Sequence, residues 1–148
     1  MNMYGNLDPD LGELFVMQWR LRIDEIHGPD IGVAIFSDDR WAVGLSFEEG
    51  TVTSSFESGV SAVFEPWVFH EFEFRSNDMQ AYQLYIDGDL AMEGSFWLSL
   101  TDSEVNWGDG VQGASSLSRW DYFRFGVMPE PSSALLLGLG LLIRRDRG

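Results

Sequence analysis

The residues best placed to do chemistry are two carboxylates, two histidines and one tryptophan–aspartate pair. Glu71 and Glu73 alternate within Glu71-Phe72-Glu73-Phe74-Arg75, so a strand would put both acids on one face. Two carboxylates about 5–5.5 Å apart can act as nucleophile and acid in glycoside hydrolysis. No third acid follows them, and the adjacent Arg75 fits a solvated, charge-paired sheet face instead. Asp24-Glu25 and Glu48-Glu49 are neighbours in sequence, so strands would aim them to opposite faces. His70 lies in an aromatic run, which predicts a hydrogen-bonded structural role, and His27 precedes a Gly28-Pro29 turn and is expected to be exposed. No Ser-His-Asp set, Gly-rich helix start or His-x-x-x-His pair stands out. Trp107-Gly108-Asp109-Gly110 and the following Val111 to Ser118 read as the most loop-like part of the body. Trp107 and Asp109 suit sugar binding, the ring packing on a pyranose and the acid bonding hydroxyls. They suit a plain long β connection equally well.

Composition bounds what these residues can do. The chain has 148 residues, 45% apolar and 14% aromatic, enough for a sizeable core. It has no cysteine, which removes disulfides and thiolate metal sites. It has no lysine either, and its net charge is −15. Residues 1–128 carry 22 acids against 6 arginines, and residues 129–148 carry 2 acids and 3 arginines. So acidic a body disfavours nucleic acid and anionic membranes as partners. The acids imply either plain solubility or, at one of the acidic loops, calcium binding; no other metal or cofactor is expected.

Positioning falls to strands. Phe15, Met17, Trp19, Leu21 and Ile23 alternate with Val16, Gln18, Arg20 and Arg22, the period of a half-buried strand. Ile31 to Phe36 is a short apolar strand. Trp41, Val43, Leu45 and Phe47 share a face, and Thr51 to Phe56 follows Gly50. Val68, His70, Phe72 and Phe74 alternate with Phe69, Glu71, Glu73 and Arg75. Tyr82, Leu84 and Ile86 lead into Asp87-Gly88-Asp89, a hairpin signal with a return over Leu90 to Glu93. Trp120 to Val127 closes the body. Seven to nine short strands without βαβ alternation predict an all-β antiparallel sandwich or barrel.

The C-terminus has a different logic. Pro129-Glu130-Pro131 precedes two serines, ten uncharged residues (Ala134 to Ile143) and Arg144-Arg145-Asp146-Arg147. As a helix the apolar run would reach about 15 Å, half of a roughly 30 Å hydrocarbon core. Arginines just past an apolar segment stay cytoplasmic, leaving the body outside. This order of parts resembles the PEP-CTERM sorting signal of Gram-negative bacteria that make extracellular polysaccharide. The resemblance implies recognition by an exosortase through Pro129, Glu130 and Pro131, with Arg144 and Arg145 as the basic stop. It further implies transient contact of a short apolar helix with the inner membrane, and a final place at the cell surface or in the matrix. Residues 1–8 show no signal peptide. With an export tail present, a leader and one or more further strands are expected upstream of Met1.

The body, too, resembles a known family. Tyr82-Gln83-Leu84-Tyr85-Ile86-Asp87-Gly88, the segment Trp67 to Phe72 and the closing Trp120 to Gly126 are similar to strands of laminin G-like and concanavalin A-like domains. The resemblance covers residues 14–128 and implies a jelly-roll sandwich of two antiparallel sheets. Some families on that fold are glucanases with a Glu-x-Asp-x-x-Glu strand, which Glu71 and Glu73 match only in part. The expectation is therefore a β-sandwich over 1–128 and a sorting tail over 129–148. Its expected role is that of a non-catalytic exported protein binding extracellular polysaccharide. A glycan-cleaving enzyme and a structural adhesion protein with a protein partner are the alternatives.

Overall fold

The computed structural model describes residue 10, residues 13–27, 32–37, 40–48, 50–98, 104–108 and 115–129, and side chains over most of these. Glu130, Pro131, Arg144, Arg145, Asp109, the expected C-terminal helix and the His27 side chain lie outside the described residues.

Eleven strands are described. The sheet that carries the polar face contains β1 (Glu13–His27), β6 (His70–Ser76), β7 (Ala81–Ile86), β8 (Asp89–Ser95) and β11 (Ser115–Pro129), in the order β11-β1-β6-β7-β8. The second contains β2 (Gly32–Ser37), β3 (Trp41–Glu48), β4 (Thr51–Ser54), β5 (Ser61–Val63) and β10 (Glu104–Gly108), in the order β10-β2-β3-β4-β5. The two-residue β9 (Trp97–Leu98) pairs with β3. All pairings are antiparallel, and the fold is the expected all-β, two-sheet jelly-roll sandwich.

Period-two patterning accounts for the inward stripe of β1, while Val16 on the opposite face is buried as well. Phe15, Met17, Trp19, Leu21 and Ile23 are all buried, while Gln18, Arg20 and Arg22 point out. Trp19 sits among rings from both sheets. It stacks on Phe72 at 5.5 Å and on Phe123 at 5.8 Å, and meets Phe47 edge-on at 6.1 Å. Phe123, Trp19 and Phe72 are direct cross-strand partners on β11, β1 and β6, so register alone brings them together.

Several elements differ from expectation. β6 begins at His70 rather than Trp67, because Trp67 takes a left-handed backbone (φ 70°) just after Pro66. β4 stops at Ser54, short of Phe56. The strands β5, β9 and β10 were not foreseen. Two and three residues are too few to display a period, and β10 hides in a Gly- and Asp-bearing segment. Trp107 is thereby corrected from loop to strand: it pairs opposite Ala34 on β2. At the other terminus β11 runs through Pro129, which pairs with Glu13, so the sheet includes the first residue of the Pro-Glu-Pro triplet.

Candidate functional site

The outward residues of β1, β6, β7 and β11 form a continuous polar face. Register sets its rows. Arg124, Gln18, Glu73 and Tyr85 lie side by side across β11, β1, β6 and β7, and Tyr122, Arg20 and Glu71 form the next row. Five of the six arginines in residues 1–128 stand here: Arg20, Arg22, Arg75, Arg119 and Arg124. Alternation against a buried aromatic stripe leaves them no other direction.

Each planar cation is laid on a ring or tied to an acid. Arg75 lies 4.4 Å above Tyr85, and Arg124 5.4 Å above Tyr122. Arg20 and Arg22 share Phe69, at 4.7 and 5.1 Å. Arg20 pairs with Asp121 at 2.8 Å; Arg22 and Arg119 both pair with Asp24. The Arg22 hydrogen bond, helped by Arg119, holds the Asp24 carboxyl below its ordinary range despite the opposing effect of burial. Glu73 accepts from Gln18 Nε2 on one oxygen and from Arg75 Nε on the other. Both Glu73 oxygens are therefore engaged by donors, the charge pairing with Arg75 that the sequence implied.

Two depressions open on this face. One, of about 130 Å³, is lined by residues that include Gln18, Glu73, Arg75, Tyr85, Tyr122 and Arg124. The second, of about 510 Å³, lies over Val16, Gly126 and Met128. Gln18 and Arg124 line both, forming a saddle between a polar hollow and a more apolar one. The larger volume falls within the roughly 300–1,000 Å³ of small-ligand sites. Planar donors over aromatic rings, an amide, and an apolar floor suit a hydroxyl-rich ring with one C–H face.

The other predicted residues sit elsewhere. His70 is buried, with Nδ1 2.5 Å from Asp87 Oδ2 and Nε2 2.8 Å from the Glu65 carbonyl. Both nitrogens face acceptors, which is the hydrogen-bonded structural role expected of it. Asp87 also accepts the Glu71 N–H at 2.9 Å. Burial works to raise its pKa, but that N–H and the bond and charge of His70, with Arg20, outweigh it and hold the carboxyl below 3.8. Trp107 stacks flat on Phe123 at 4.6 Å while remaining 49% exposed. It joins edge strand β10 to edge strand β11 and lies outside the saddle. Among the described residues no cluster of three or more metal-ligating acids or histidines forms. No described helix is long and apolar enough to cross a membrane. Sequence reasoning missed Gln18, Tyr85, Tyr122 and Arg124 as a group. Each stood in the alternating pattern, but only strand order makes them neighbours.

No family model and no curated protein matches the chain. Solved structures do. The chain is similar to a structure of botulinum neurotoxin type C, a toxin whose cell entry is described as dependent upon interaction with two ganglioside molecules, at 14% identity over 80% of this chain and 32% of that one, TM-score 0.44. It is similar to the binding domain of botulinum neurotoxin serotype D/C, at 13% identity over 81% and 34%, TM-score 0.42. It is also similar to domains LG4-5 of the mouse laminin alpha1 chain, at 15% identity over 86% and 42%, TM-score 0.43. The chain spans about a third of the length of the toxin chains it matches.

Proposed function

We propose that the chain is an exported, non-catalytic surface or matrix protein that binds carbohydrate on the outer face of its β11-β1-β6-β7-β8 sheet. The observation that carries this reading is the saddle of Gln18 and Arg124 between two hollows, walled by Tyr85 and Tyr122 and floored by Val16. Flat aromatic and guanidinium surfaces give a pyranose its stacking plane, and fixed amide and guanidinium donors orient its hydroxyls. The engagement of both Glu73 oxygens supports binding over hydrolysis. Sorting through Pro129, Glu130, Pro131, Arg144 and Arg145 by an exosortase accounts for delivery to the matrix.

The binding part is tested with the full chain on a glycan array, with and without calcium. Retention of at least one polysaccharide is expected, and retention of none would sink the reading. The sorting part is tested by deleting residues 130–148, which keeps Pro129 in the sheet, in a host with an exosortase. Loss of surface display is expected; unchanged display and processing would refute it. Trp97 and Leu98, each 61% exposed on β9, favour a second reading, adhesion to a protein partner.

A further inference from the structure

Resting on that carbohydrate reading, we infer that the ligand is a uronate-bearing polysaccharide whose carboxylate is received by Arg124. Four of the five arginines on the polar face already hold a carboxylate: Arg20 holds Asp121, Arg22 and Arg119 hold Asp24, and Arg75 holds Glu73. Arg124 differs. Its Nε–H donates to the neutral Gln18 Oε1 at 2.6 Å, its plane lies over Tyr122, and it has no carboxylate partner among the described residues.

A guanidinium has five N–H donors, so the Nε bond leaves the four on the terminal nitrogens without a described partner. Those two nitrogens form the planar edge that matches a carboxylate with two parallel bonds. Gln18 keeps the group in this state. Its amide donates to Glu73 and accepts from Arg124, so its orientation is fixed from both sides. An amide thus stands where a carboxylate would have neutralised the arginine. Arg124 also lines both hollows, the position from which it can meet a charged substituent on a chain of sugars crossing the saddle.

The net charge of −15 argues against long-range attraction of an acidic polymer. At physiological salt such repulsion is screened beyond about 8 Å, so contact pairing decides. Binding is accordingly measured at that ionic strength.

The probes are α-1,4-tetragalacturonate, its carboxyl-reduced neutral counterpart, and monomeric galacturonate, titrated calorimetrically into the full chain. Wild type is expected to bind the acidic tetramer at least tenfold tighter than the neutral one and than the monomer. Arg124→Gln is expected to abolish that preference, lowering affinity for the acidic tetramer at least tenfold more than affinity for the neutral one, with cooperative thermal unfolding retained. Equal or tighter binding of the neutral tetramer by wild type overturns the inference and leaves the carbohydrate reading standing. An acid preference that survives Arg124→Gln overturns the assignment to Arg124. Monomer binding as tight as the tetramer overturns the polymer. Failure of every glycan on the array as well as these probes overturns both the inference and the reading it rests on.

Discussion

At the scale of single residues, side chains that look chemically poised are mostly consumed by structure. His70, Asp87 and the Glu65 carbonyl form a partly buried link between the β5–β6 connection and the tip of the β7–β8 hairpin. Because the Asp87 pKa is lowered on folding, its contribution is present above its ordinary 3.8 and is lost as pH falls through the lower folded value. Asp87→Asn is expected to cost up to about 1 kcal/mol at neutral pH, since the carboxylate is half exposed and screened. That deficit should close on acidification below pH 3.8. Denaturant midpoints of both proteins across that range check it, and a deficit constant with pH would contradict the assignment. Trp107 bears on stability in a different way. Its flat contact with Phe123 joins two edge strands, so Trp107→Ala should lower stability by about 1–2 kcal/mol. Glycan retention at the saddle should stay unchanged; lost retention in a folded variant would move the site to the β10 edge.

Elements decide which residues meet. The β7–β8 hairpin turns on Asp87 (φ 52°) and Gly88 (φ 91°), with Ile86 paired to Asp89, which is the two-residue turn the Asp-Gly signal predicts. Gly88→Val should cost about 1–2 kcal/mol, because a branched side chain resists that backbone. Gly94 on β8 is needed for another reason. A Cβ there would lie 2.5 Å from the Tyr82 hydroxyl, which belongs to a ring stacked on Phe74. Gly94→Ala should therefore destabilise by about 1–3 kcal/mol through overpacking. Thermal unfolding of both variants tests these expectations, and midpoints equal to wild type would refute them.

For the molecule as a whole, one aromatic array ties the sheets together. Trp19 contacts rings from β3, β6 and β11 with no exposed surface, so Trp19→Ala should remove about 3–5 kcal/mol. That is a large part of a domain's usual 5–15 kcal/mol, and loss of cooperative unfolding in the variant is the expected calorimetric result. The same inward packing of rings sends nearly every body arginine outward on one sheet. In a chain this acidic, the polar face is where cations concentrate, and the proposed ligand follows from that asymmetry.

The sequence alone determined the all-β class, the buried stripe of β1, the Asp87-Gly88 turn and the structural use of His70. Each is written in local period or turn chemistry, which a linear reading can see. The same reading placed Trp107 in a loop and passed over β5, β9 and β10, whose few residues carry no period. The tertiary structure decided that β11 and β6 flank β1, and so that Gln18, Arg124, Glu73 and Tyr85 stand in one row. Their separations in sequence exceed a hundred positions between Gln18 and Arg124. No local signal spans that distance; only strand order and register, set by burying the rings on the opposite face, bring the saddle together.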